Sequence, residues 1–193
     1  MAKVHPRHPL HSWTPAGGCE HLAAWLESAG FSLAKAPWWM RIFHSKRTTM
    51  TAPWGKIYVR DSYRGDTEKD APLLAHECNH VRRAIRVKSW GVEFTSYTRT
   101  AGYWLGHFWY ALKYLVWIPF RRDEEVDAET YETACRGRLR GSDPTAAALE
   151  HHVSAPSLGG WRWPHLTGGD PVELRRDVAE GAAIVANLMA WES

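Results

Sequence analysis

The sequence predicts an α+β fold in which a small β-hairpin or sheet packs on a helical core. Three observations point there. Residues 47–51 and 56–60 are β-branched and aromatic runs on either side of Ala52-Pro53-Trp54-Gly55, the pattern of two strands joined at a Pro/Gly turn. Several longer stretches repeat apolar residues at helical spacing. With 193 residues and 45% apolar content, the chain is long enough to bury one ordinary core. The expected organisation is an arm over residues 1–17, rich in Pro, His and Gly, followed by a single domain over 18–193.

In chain order, Leu22, Trp25 and Leu26 share one face of a helix from Cys19 to about Ser28, which Gly30 can end. Pro37-Trp38-Trp39 breaks into a strand-like region. After the hairpin, the polar loop Asp61–Lys69 leads into a helix centred on Leu73–Arg82, with Thr67 or Asp70 as N-cap and Pro72 in its first turn. That helix should run to about Val87 or Lys88, its basic end matching the negative end of the helix dipole. Gly91 to Thr100 reads as a short strand or loop.

Ala101 to Phe120 is apolar nearly all round, and a run of that length makes a transmembrane helix a candidate. His107 and Lys113 fall mid-span, where charge is costly in lipid, and the aromatics are scattered instead of forming two belts. A buried helix is therefore expected, with membrane association as the lesser reading. Arg122 to about Arg138 is a further helix, and Thr145 to about His152 a short one. Residues 153–170 read as loop, and a last amphipathic helix carries Leu174, Val178, Ala182, Val185 and Leu188.

The balance of 24 basic and 21 acidic residues leaves +3, so no polyanion partner is implied. Basic runs such as Arg136-Gly137-Arg138-Leu139-Arg140 read as solvated helix faces, and nucleic acid is not expected as a partner. The twelve tryptophans, spread from Trp13 to Trp191, read first as core anchors and second as platforms for a sugar or extended peptide. Cys19, Cys78 and Cys135 form no C-x-x-C pair, which fits a reducing compartment. The first residues hold no apolar signal segment, so a cytoplasmic location is expected, with a virus particle as the alternative. His5, His8 and His11 read as part of a solvated tail.

The chemistry concentrates in His76-Glu77-Cys78-Asn79-His80, an H-E-x-x-H pattern on one helix. Residues four apart lie one above the other, so His76 and His80 can offer two imidazoles to one ion, with Glu77 beside it. Zinc accepts neutral histidine nitrogen, and a catalytic site keeps one position open for water. Cys78 points well around the helix from that face and reads as packing. A third protein ligand is needed, and the acidic helix at Glu125-Val126-Asp127-Ala128-Glu129 is the best source, with the adjacent Glu124 as the other register.

Here the chain resembles the gluzincin metallopeptidases, which carry H-E-x-x-H on one helix and a glutamate ligand on a later one. The resemblance covers about residues 47–135, and it extends loosely to small zincin-like proteins of bacteria and their phages. It implies a zincin-like fold, Zn2+ as cofactor, His76, His80 and Glu125 as metal ligands, and Glu77 as the catalytic carboxylate. It also implies that Glu129 accepts a hydrogen bond from a ligand histidine. Arg82 departs from the pattern, which usually has an apolar residue at that place. The implied activity is hydrolysis of a peptide or peptide-like amide bond, with Glu77 moving the proton. The strand Lys56–Arg60 could pair with an extended substrate. Tyr131, His107, His151, His152 and His165 are the candidate donors to the oxyanion. The other expectation is a zincin-fold protein whose metal is structural and which works as an assembly component of a larger particle, with other proteins of that assembly as partners.

Overall fold

The computed structural model describes residues 7–38, 49–52, 54–85, 88–89, 92–93 and 101–141, together with positions 176, 177, 180, 181 and 184. It is mixed α+β, with four helices and a three-stranded sheet among the described residues. The first helix, α1 (Gly18–Ser28), turns Cys19, Leu22 and Leu26 into the core. It ends as its glycine suggests: Gly30 takes φ +86, its N–H donates to Glu27 O, and the N–H of Phe31 donates to Leu26 O, both at 2.9 Å. This satisfies two carbonyls left open at the helix end and drops buried Phe31 into the core.

The expected hairpin forms as β2 (Met50–Ala52) and β3 (Lys56–Val59), antiparallel, with Met50 opposite Tyr58 and Ala52 opposite Lys56. The first strand, β1 (Ser32–Lys35), lies upstream of the expected Pro37-Trp38 region and runs parallel to β3. The order is therefore β1-β3-β2. Lys56–Arg60, expected at a free edge, instead supplies the central strand, bonded on both sides. Its alternate residues Ile57 and Val59 are buried. Among the described residues the free edges are those of β1 and β2.

The long helix α2 (Thr67–Ile85) carries the H-E-x-x-H residues. Its cap is neither expected residue: Asp66 Oδ1 accepts the N–H groups of Glu68 and Lys69 at 2.9 and 3.3 Å. Asp70 is buried one turn in, where it accepts from the N–H groups of Arg64 and Asp66 and from the Arg60 guanidinium. Burial opposes the Asp70 anion, but these bonds more than offset it and hold its carboxyl below the usual range. Pro72 stands in the second turn, not the first. Beyond α2, β4 (Lys88–Ser89) pairs with β5 (Val92–Glu93).

The apolar stretch 101–120 is not one helix. The helix α3 (Ala101–Val116) stops at Trp117, which is extended, and α4 (Ile118–Arg140) begins with Pro119 in its first turn, where the missing N–H costs nothing. Nor is α3 buried all round: His107 and Tyr110 face inward, while Leu105, Phe108, Leu115 and Val116 are more than half exposed. No described helix is long and apolar enough to cross a membrane.

The described part of the N-terminal segment packs into the core, and His8, expected in a solvated tail, is buried there. Leu10 and Trp13 are fully buried and His8 nearly so. Trp13 Nε1 donates to Gly18 O at 2.8 Å, and the Arg138 guanidinium of α4 donates to the carbonyls of Leu10 and Trp13. A few apolar side chains and one arginine thus tie residues 8–13 across α2 and α4. His5, the expected helix 145–152 and the loop 153–170 lie outside the described residues, as does most of the last expected helix.

Candidate metal centre

The site forms where the polar stripe of α2 meets α4, the two most extensively packed helices. His76 and His80, one turn apart on α2, turn their rings toward each other, with Nε2 atoms 3.1 Å apart. Glu125 of α4 meets both: Oε2 lies 3.6 Å from His76 Nε2 and Oε1 lies 3.5 Å from His80 Nε2. The ligating atoms of these three residues lie within 4.8 Å of one another. Two imidazoles and a carboxylate are the ligand types and number that a catalytic zinc takes from a protein. Of the two adjacent glutamates, Glu125 faces the histidines and Glu124 faces Arg83 and Tyr110.

Glu125, Glu129 and Glu132 fall at i, i+4 and i+7 on α4, one stripe directed at α2. Glu129, expected to accept a hydrogen bond from a ligand histidine, is grouped with His76 and Glu132. The carboxylate against the second nitrogen of His76, however, is that of Glu132, whose Oε2 is 3.4 Å from Nδ1. This is an ionic contact without the alignment of a good hydrogen bond. Glu132 also accepts from Arg136 at 2.6 Å.

The remaining contacts come from other elements. Thr51 of the edge strand β2 donates its hydroxyl to Glu77 Oε2 at 2.6 Å. From α3, Tyr114 donates to Glu125 Oε1, and the Tyr110 hydroxyl sits 3.1 Å from His80 Nδ1. Tyr110 in turn donates to Glu124 Oε2 at 2.8 Å, and Arg83 Nε donates to Glu124 Oε1 at 2.8 Å. Sequence reasoning misses Thr51, Tyr110, Tyr114 and Glu132 as site residues. Only Glu132 carries a usable signal, its place seven after Glu125.

The electrostatics follow from this crowding. Burial alone would depress His76, but Glu132 against its ring and the charges of Glu125, Glu77 and Glu129 outweigh it and push His76 up to about 10. His80 goes the other way, pulled down to about 4 by burial. Burial raises the Glu77 carboxyl, the Thr51 hydrogen bond and the His76 charge only partly opposing it. Burial and the neighbouring Glu132 raise Glu129, whereas Glu132, despite its burial, is held low by His76 and Arg136. Without an ion, the pocket makes His76 supply the positive charge.

Tyr131, the expected substrate or oxyanion group, lies elsewhere. It is buried in the core, stacked on His8 with centroids 3.8 Å apart, and the Arg82 guanidinium lies 5.1 Å from its centroid. That contact also accounts for an arginine at position 82: its guanidinium rests on the ring and donates to Asn79 Oδ1 at 2.7 Å. His107 is buried against the rings of Phe31 and Trp104, and burial draws it down to about 4. His151, His152 and His165 lie outside the described residues. No family model, curated protein or solved structure matches the chain, so a functional reading stands on its own residues.

Proposed function

We propose that this chain is a zinc-dependent metallopeptidase of the gluzincin type, hydrolysing a peptide or peptide-like amide bond. One observation carries the reading: the two Nε2 atoms face each other at 3.1 Å while the Nδ1 of each ring faces an acceptor. Those acceptors are the Tyr110 oxygen for His80 and the Glu132 carboxylate for His76. With both rings protonated at Nδ1 the two Nε2 lone pairs would face each other, an arrangement relieved by the extra proton of His76 in the metal-free protein and by a shared metal ion in the loaded one. Glu125 adds an anionic ligand at the same point.

His76, His80 and Glu125 would hold the ion, and bound zinc supplies Lewis acidity toward a carbonyl and a water. Glu77 takes a proton from the attacking water and returns it to the leaving amine. Its raised basicity suits that role, and Thr51 holds the carboxylate in place. Tyr114, whose hydroxyl donates to Glu125, would serve a developing oxyanion by turning that one proton from Glu125 to it. An extended substrate could pair with the outer edge of β2, which has no strand partner among the described residues, beside Thr51. The test is Glu77→Gln in the zinc-loaded protein, assayed on a peptide library: zinc is retained and hydrolysis is lost. Equal turnover in the variant would sink the proposal.

A second reading has its own support in the exposed apolar face of α3. Leu105, Phe108, Leu115 and Val116 make a surface of the kind that is covered in an assembly. In that reading the metal is structural and the chain is a component of a larger particle such as a virion. Chelation then breaks a complex, and no peptide in the library is turned over.

A further inference from the structure

The two histidines of the cluster are held by different devices, and the one behind His80 runs through a tyrosine. The hydrogen-bond chain Arg83–Glu124–Tyr110–His80 has links of 2.8, 2.8 and 3.1 Å and joins α2, α4 and α3. Its direction is forced by chemistry. A guanidinium only donates, and an ionised carboxylate only accepts. Tyr110 has a single hydroxyl proton, and with Glu124 as its acceptor the phenol oxygen can only accept from His80. The proton of His80 must then sit on Nδ1, and its Nε2 lone pair faces His76 Nε2 and Glu125. Glu124, Tyr110 and His80 are each more than nine-tenths buried, so water does not readily replace any link.

We propose that Tyr110 is the positioning residue of His80, fixing both its tautomer and its ring orientation through the anchor Glu124–Arg83. The proposal rests on the reading of His76, His80 and Glu125 as one cation site. Among the described residues nothing else around the His80 ring would prevent a flip: its other contacts are the facing Nε2 of His76, Glu125 and the edge of the Tyr114 ring. The arrangement also separates charge from the ligand. His76 has a carboxylate directly against Nδ1, whereas His80 has a neutral phenol with the carboxylate one bond further back. His80 is thus oriented without adding another anion to a pocket that already holds four carboxylates, those of Glu77, Glu125, Glu129 and Glu132.

The test uses the full chain, with Zn2+ and Co2+ as probes and histidine labelled with 15N. Tyr110→Phe keeps the ring and removes the acceptor. It is expected to weaken zinc binding about 10- to 100-fold, the usual effect of removing a group that orients a ligand histidine. The visible bands of the Co2+ form shift, and the His80 Nδ1–H signal passes from slow to fast exchange with water. Glu124→Gln, which preserves shape and weakens the anchor, gives a smaller loss in the same direction and serves as the deciding variant where Tyr110→Phe does not fold. Wild-type affinity, cobalt bands and Nδ1–H exchange in the variants would overturn the proposal. Where the wild-type protein takes up no metal, the cation-site reading fails, and the exchange of His80 Nδ1–H in the metal-free protein still decides the role of Tyr110.

Discussion

His8 and His76 both lie against α2 and end in opposite electrical states. His8 is wholly inside the core, its Nδ1 accepting from Leu10 N–H at 3.1 Å and its Nε2 donating to Ala75 O at 2.9 Å. Both nitrogens are used by backbone, the ring stacks on Tyr131, and burial, assisted by the Arg82 charge, keeps it neutral with a pKa well below the usual value. His76 keeps only 14% of its side chain exposed, yet four carboxylates drive it up to about 10. Burial therefore does not separate a core histidine from a ligand histidine; the partners do. A histidine whose nitrogens are both matched by backbone is finished, whereas one facing another imidazole and several anions is where the proposed cation would bind.

The contrast breaks most visibly in turnover. Glu77→Gln is expected to lower hydrolysis about 10²- to 10⁴-fold, the ordinary worth of a general acid–base group, in steady-state assays at saturating zinc. Next comes the core side: Trp13→Ala should cost about 3–5 kcal/mol in urea unfolding, because the buried indole leaves a cavity, while zinc stoichiometry is unchanged. His8→Ala sharpens the comparison directly. It removes the acceptor of the buried Leu10 N–H and the second partner of the Ala75 carbonyl, and should cost about 1–3 kcal/mol of stability with unaltered metal affinity. An altered zinc affinity in His8→Ala would show that the two regions are not independent.

The pH dependence divides the two site histidines. His76 has a folded value of about 10, above its ordinary 6.5, so its stabilisation is complete below 6.5 and is lost as pH rises through about 10. His80, at about 4 against 6.5, costs stability as pH falls from 6.5 toward 4. Metal-free protein should lose stability on the alkaline side. Zinc, replacing the His76 proton, should abolish that loss and release about one proton per ion near neutral pH, read by calorimetry in two buffers. The smallest effect belongs to α3: Leu115→Lys, on its exposed face, should stay within about 0.5 kcal/mol of wild type.

What could be read from the sequence was local. The first helix, expected from Cys19 to about Ser28, the hairpin and the H-E-x-x-H helix depend on neighbours a few residues apart, and all three form. The strand Ser32–Lys35 is short and partly polar, and its parallel partner lies more than twenty residues on, so no alternation announces it. The N-terminal segment looked solvated because its burial depends on the side chain of Arg138, far along the chain. In the site, Glu124 and Glu125 differ by a rotation of 100° on one helix, which only the packing of α4 on α2 can resolve. Tyr110 was hidden inside an apolar stretch whose hydroxyl partners, His80 and Glu124, are remote or on the next helix.

The most direct test of the cation site is the metal content of the purified full chain, by atomic emission, for the wild type, His76→Ala and Glu125→Ala. Expected is about one zinc per wild-type chain and loss of it in both variants, as for a site with three protein ligands. A wild-type protein that takes up no metal, or a His76→Ala variant that keeps a full equivalent, would contradict the cation site at His76, His80 and Glu125.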